Sequence, residues 1–213
     1  MNIIHYNIIR GGKMIKIKFL GIKALFDFSF FAVIALFFLY DSTDLAIYSF
    51  VACIIHELAH VFMMNAFDIP PNSLVFYGGG IKISEREIER LKLYKQAIIT
   101  SAGCVINFIM AGISFALADG SDLKILIFAY SNLMVGAINL LPIGYFDGAG
   151  LMKLILIKKM QPFQVDSAMK VVRRMFGFAS IFALLLMIVY RQANFTIYVI
   201  ALYFIFAGFS DRE

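Results

Sequence analysis

The sequence Ile54-Ile55-His56-Glu57-Leu58-Ala59-His60-Val61-Phe62 lies inside an almost unbroken apolar segment that covers about residues 45–67. A helix places His56 and His60, which are four residues apart, on one face with Glu57 beside them. A charged group at the centre of a transmembrane helix costs about 2.5–3.5 kcal/mol on insertion scales, so polar groups here need partners or a purpose. The spacing is typical of a zinc site, in which two neutral imidazoles bind the metal and the glutamate accepts a proton from the attacking water. A pair of buried, hydrogen-bonded histidines is the structural alternative.

The composition indicates an integral membrane protein. Of the 213 residues, 62% are hydrophobic and 15% are charged, and the mean hydropathy is +0.85. Soluble domains carry about 25% charged residues, so this chain lies outside their range. We therefore expect one membrane-embedded domain over residues 1–213.

Apolar runs predict an all-α polytopic fold with about six transmembrane helices. These runs cover about residues 20–40, 45–67, 97–118, 123–141, 176–190 and 195–209. Between the second and third runs, residues 74–77 and 81–84 flank Gly78, Gly79 and Gly80, which predicts a short membrane-associated β-hairpin, with a flexible loop as the alternative. Alternating apolar and basic residues at 14–19 indicate either a short surface strand or a basic flank.

The distribution of positive charge predicts the topology. With six spans and the N-terminus inside, all of the 19 Lys and Arg residues except Lys124 and Arg191 fall on the inner side. This predicts a multi-pass protein of the cell membrane with both termini cytoplasmic, and it explains the net charge of +5 without any nucleic acid. Counting from the outer end of the second helix, His56 lies roughly 17 Å and His60 roughly 23 Å into a core about 30 Å thick, in its cytoplasmic half.

Asp147 is the candidate third metal ligand. It lies in an apolar segment, residues 142–150, that interrupts helical regularity after the fourth predicted span. Irregular backbone at membrane depth persists only where protein or a watery cavity covers it. The fourth span runs in the same direction as the second, so Asp147 reaches the cytoplasmic side. With His56 and His60 it would form a site for one Zn²⁺ per chain with an open fourth position, and Glu57 would act as the general base.

Three motifs carry a family resemblance. They are His56-Glu57-Leu-Ala-His60, then Ser101-Ala-Gly103-Cys104-Val-Ile-Asn107, then Asn139-Leu-Leu-Pro142-Ile-Gly-Tyr-Phe-Asp147-Gly148. In this order they resemble the signatures of the site-2 protease family of intramembrane zinc metalloproteases.

This resemblance implies roles for individual residues. Asp147 would be the third zinc ligand, and Asn107 and Asn139 would bind substrate or stabilise the oxyanion. Gly79 and Gly80 would belong to a β element that presents an edge to the unwound substrate helix. Asparagines at membrane depth also commonly bond between helices, which is the packing alternative for these two amides and for Asn132 of the fourth span. Cys104 is a departure, because it stands where the family usually has proline.

The expected function is therefore regulated proteolysis of transmembrane or membrane-proximal protein segments. The catalytic core would cover about residues 14–150, and two additional helices at about 176–209 would complete a single membrane-embedded metalloprotease domain similar to the small bacterial or sporulation-type members without PDZ or CBS domains. The expected partners are a substrate protein and the lipid bilayer, and a membrane regulatory partner and the oligomeric state are left open. An ion- or proton-coupled transporter is the main alternative, and a catalytically inactive scaffold is a third.

Overall fold

The computed structural model describes residues 7–9, 12–19, 22–40, 44–71, 73–77, 80–83, 88–119, 122–144, 146–190 and 195–209. The chain divides into two compact units, Met1–Gly136 and Ala137–Glu213. In chain order the elements are β1 (Asn7–Ile9), β2 (Gly12–Phe19), β3 (Ile22–Phe26), α1 (Phe28–Tyr40), α2 (Leu45–Ala66), β4 (Ser73–Tyr77), β5 (Gly80–Ile83), a 3₁₀ turn (Ile88–Arg90), α3 (Leu93–Leu117), α4 (Leu123–Asn139), α5 (Asp147–Ile157), α6 (Pro162–Val189) and α7 (Phe195–Phe209).

The first unit contains a five-stranded sheet in the order β1-β2-β3-β4-β5. All neighbouring strands are antiparallel except β3 and β4, which pair in parallel with Phe26 opposite Phe76. The rings of these two residues stack with centroids 4.4 Å apart. The antiparallel pair β4–β5 follows α2 and precedes α3. The sheet is therefore larger than the predicted hairpin, because three N-terminal strands join it.

The helix predicted over residues 20–40 begins only at Phe28. The amide of Asp27 donates to the carbonyl of Phe76 at 2.8 Å, which continues the β3–β4 pairing to the last residue before the helix. The Asp27 carboxylate then accepts hydrogen bonds from the amide (2.8 Å) and hydroxyl (2.5 Å) of Ser29. An aspartate in this position satisfies free amides of the first turn, so it ends the strand and starts α1.

The described residues include three helices that are long and apolar enough to span a membrane: α2, α3 and α6. Helices α1, α4 and α7 have 13, 17 and 15 residues, so the described chain supports three of the six predicted spans by length. Large apolar side chains on the long helices are exposed, including Phe62 on α2, Ile109 on α3 and Phe182 on α6. Such surfaces suit contact with lipid, and the chain is a membrane protein.

Helix α6 begins well before the predicted span at residue 176. Gln161 and Gln164 form a reciprocal capping box, and Pro162 occupies the first turn. Proline is favourable in this position because its fixed φ suits a helix and it has no amide to leave unpaired. The polar residues from 162 onwards are therefore part of the helix.

In the second unit, α6 packs against α7. A Cβ on Gly208 would lie 2.6 Å from the Cα of Gly177, so the two backbones approach closely at these glycines. The rings of Phe178 and Phe209 meet edge to face beside this crossing, with centroids 5.1 Å apart.

Candidate metal centre

The two histidines of α2 face the protein interior. His56 is 3% exposed and His60 is 6% exposed, and their Nε2 atoms lie 3.1 Å apart. Glu57, one residue further along the helix, is half-buried. The prediction that the four-residue spacing brings both imidazoles to one face is confirmed, since α2 is continuous from Leu45 to Ala66.

Hydrogen bonds at the opposite ring nitrogens determine which atoms of the imidazoles carry lone pairs. His60 Nδ1 lies 2.7 Å from the carbonyl oxygen of Ile99, which accepts only, so this nitrogen donates. His56 Nδ1 lies 2.7 Å from Oδ1 of Asn107 and donates in the same way. In the neutral rings both Nε2 atoms are therefore acceptors, and they point towards a common position.

This donor set fits a zinc ion. Two nitrogen ligands of tetrahedral zinc, at bond lengths of about 2.0–2.1 Å, lie about 3.3 Å from one another. The observed separation of 3.1 Å is close to this value. Metal-binding histidines also typically donate their second ring N–H to an oxygen, as both rings do here.

Helix α3 approaches the imidazoles through Gly103. A Cβ at this position would lie 2.5 Å from Cε1 and Nε2 of His56 and from Nε2 of His60. No real Cβ tolerates such contacts, so only glycine lets α3 lie against the rings. Sequence reasoning quoted Gly103 within a motif but gave it no role.

Cys104 follows Gly103 and is 2% exposed. Its sulfur lies within 4.8 Å of a ring nitrogen of His56. The residue that departs from the family pattern is therefore beside the candidate metal position. Helix α3 continues without a break through this cysteine, to Leu117.

Two asparagines inside the first unit form a hydrogen-bonded pair between helices. Nδ2 of Asn107 on α3 donates to Oδ1 of Asn132 on α4 at 2.9 Å, and both residues are fully buried. The packing alternative, in which membrane asparagines bond between helices, is confirmed for this pair. Sequence reasoning did not predict that the pair connects to His56.

The third motif lies in the second unit. Asn139 is the last residue of α4, and Asp147 is the first residue of α5; both are half-buried. A Cβ on Gly148 would lie 2.0 Å from the carbonyl oxygen of Leu140, so the start of α5 packs tightly on the preceding chain. The approach of Asp147 to the histidines stays a prediction.

Of the two glycines assigned to the β element, Gly80 is the first residue of β5, at an edge of the sheet, and Gly79 lies outside the described residues.

Comparisons with known proteins support the fold. Searches with protein-family models and of curated proteins find no match. Among solved structures, the Site-2 Protease from Methanocaldococcus jannaschii is similar to this chain, with a TM-score of 0.66 and 20% sequence identity over 92% of this chain and 93% of that one. The chain therefore has the fold of a site-2 protease, in agreement with the resemblance carried by its three motifs.

Proposed function

We propose that the protein is an intramembrane zinc metalloendopeptidase that cleaves transmembrane or membrane-proximal segments of other proteins. The observation that carries this proposal is the convergence of two buried histidine Nε2 atoms, 3.1 Å apart, on a 22-residue apolar helix. Burying imidazoles in a membrane helix costs free energy because they are polar. A zinc ion offsets this cost because it binds both Nε2 lone pairs at once.

Zinc would be held by His56, His60 and Asp147. Asp147 is the third ligand in this proposal because its motif resembles that of the family and because it lies at an irregular segment of the chain, just after the break between α4 and α5. A bound zinc ion would polarise the scissile carbonyl and lower the pKa of the attacking water. Glu57, next to the first histidine and half-buried, accepts the proton of that water and passes it to the leaving amine.

The substrate is an extended segment of a membrane protein. Strand β5 is at the edge of the sheet, and an edge strand can pair with an added extended peptide. In this proposal Gly79 and Gly80 keep that edge accessible, and Asn139 contacts the substrate backbone. Both termini and the metal site are on the cytoplasmic side, as the distribution of Lys and Arg indicates.

The experiment compares Glu57→Gln with Glu89→Gln, an exposed glutamate of the 3₁₀ turn, in purified protein in detergent. Zinc content is measured by elemental analysis, and cleavage is measured on a model transmembrane substrate. We expect about one zinc per chain in the wild type and in both variants. We expect loss of cleavage only in Glu57→Gln, since glutamine cannot accept the proton. Glu89→Gln should cleave at the wild-type rate.

The same measurements distinguish a protease from the rival function, a transporter. A transporter that uses these groups for ions or protons would show no cleavage in the wild type. Cleavage that survives in Glu57→Gln would contradict the assignment of the general base.

A further inference from the structure

We propose that Asn132 is a positioning residue for the metal site, which acts through Asn107 to keep Nε2 of His56 free of a proton. This inference rests on the proposed function, because it assigns the metal as the group that receives the Nε2 lone pair. The inference adds a residue of α4 to those that determine metal binding, although the histidines lie on α2.

The first step of the argument is the orientation of the Asn132 amide. Its Nδ2 lies 3.0 Å from the carbonyl oxygen of Phe128, one turn earlier on α4. A carbonyl oxygen can only accept, so the amide nitrogen of Asn132 faces Phe128 and its Oδ1 faces α3. Asn132 is fully buried, so water does not compete for this orientation.

The second step is the orientation of Asn107. Its Nδ2 donates to Oδ1 of Asn132 at 2.9 Å and to the carbonyl of Ala52 at 3.1 Å. Both amide hydrogens are thus used, and both acceptors are oxygens. Oδ1 of Asn107 must therefore face His56, where it lies 2.7 Å from Nδ1.

The third step is the tautomer of His56. Because Oδ1 of Asn107 accepts, the ring must carry its proton on Nδ1, which leaves the Nε2 lone pair for a metal. If the Asn107 amide were reversed, its nitrogen would face Nδ1 and favour the proton on Nε2, where it blocks coordination. Hydrogen bonds of this kind around a metal ligand typically influence affinity about 10- to 100-fold.

The arrangement also changes the role of Asn107. With both hydrogens donated within the protein, its amide has no N–H left to stabilise an oxyanion. Asn107 is therefore a positioning residue in this proposal, rather than a substrate-binding one.

The test uses Asn132→Leu, which keeps the branched shape and the number of heavy atoms of the side chain and removes both the donor and the acceptor. Zinc affinity is measured by competition with a chelator in purified protein. We expect the Kd to rise about tenfold or more. Asn132→Asp, which keeps an acceptor oxygen towards Asn107, should lie between Asn132→Leu and the wild type. Ser131→Ala is the matched control, because Ser131 is also buried on α4 and bonds only weakly to Ser49, at 3.4 Å.

A double variant distinguishes this mechanism from general damage to the helix packing. If Asn132 acts only through Asn107, then Asn107→Leu/Asn132→Leu should bind zinc as tightly as Asn107→Leu alone. Independent effects would instead multiply. Multiplied effects, or an unchanged Kd in Asn132→Leu, would overturn the proposal.

The tautomer itself provides a measurement that does not depend on zinc. The chain has three histidines, so protein labelled with ¹⁵N-histidine gives three pairs of ring-nitrogen signals by NMR, one pair per imidazole, assigned with His→Gln variants. In metal-free wild type we expect His56 to be protonated at Nδ1, and in Asn132→Leu we expect a shift towards Nε2. A wild-type His56 protonated at Nε2 would refute the proposal that Asn132 acts through Asn107 on this ring. Wild-type protein with the expected tautomer but no zinc affinity would instead refute the proposed function, while the effect of Asn132 on the His56 tautomer would still stand.

Discussion

Replacing Gly103 by alanine tests the geometry around the two histidines most directly. The added Cβ would lie 2.5 Å from three ring atoms of His56 and His60. Both rings are held at Nδ1 by buried hydrogen bonds of 2.7 Å, to Asn107 and to the carbonyl of Ile99. The rings therefore have two responses, and each has a cost that can be worked out.

If the rings turn away, at least one of these hydrogen bonds is lost, at about 1–3 kcal/mol for a buried group left unsatisfied. If they stay, over-packing costs about 1–3 kcal/mol through shifts of the backbone. Either response destabilises the zinc-bound arrangement by a similar amount. At 1.4 kcal/mol per tenfold, this corresponds to a rise in the zinc Kd of about 5- to 150-fold.

The assay is chelator competition for zinc, with helical content followed by circular dichroism. Gly112→Ala is the matched control, since Gly112 lies on the same helix and a Cβ there meets nothing within 4 Å. That control should keep its zinc affinity and gain about 0.5–1 kcal/mol of stability from the better helix former. A Gly103→Ala protein that is folded and binds zinc like the wild type would refute the placement of α3 against the imidazoles.

Two further substitutions test the neighbouring chemistry. Gly148→Ala should lower the free energy of unfolding by about 3 kcal/mol or more, because its Cβ would meet the backbone of Leu140 rather than a mobile side chain; thermal unfolding in detergent measures this, and wild-type stability would contradict it. Cys104→Ala should leave zinc affinity unchanged, because the ligands proposed are two imidazoles and a carboxylate. In the cobalt-substituted wild type, a thiolate-to-metal charge-transfer band that disappears in this variant would instead make Cys104 a ligand.

The histidine face of α2 was predictable because a spacing of four residues has only one outcome on a helix. The chain before α1 was not, because residues 20–26 are apolar except for Lys23 and continue into the helix, and periodicity alone does not distinguish a buried strand from a helix. The pairing of β3 with β4 decides that question, and it comes from a distant segment.

The role of Asn132 was unpredictable for a related reason. An asparagine at membrane depth predicts a hydrogen bond between helices. It does not predict the partner, since the partner depends on how α3 and α4 pack. The role of Gly103 was unpredictable for the same reason. Glycine is required there because of two side chains, His56 and His60, that are more than forty residues away in sequence and come close only in the packed structure.

The parallel pairing of β3 with β4 has a consequence for the order of assembly. Strands β2 and β3 pair between near neighbours in sequence, with Phe19 opposite Ile22, whereas the partners Lys23 and Ser73 are 50 residues apart along the chain. Contacts between neighbours in sequence form early, while distant ones wait for loop closure. The ribosome must therefore synthesise α1, α2 and β4 before the sheet can be completed, and until then strands β1, β2 and β3 lack the neighbour that β4 supplies. The helix that contains both histidines is thus synthesised before β4 can join the sheet.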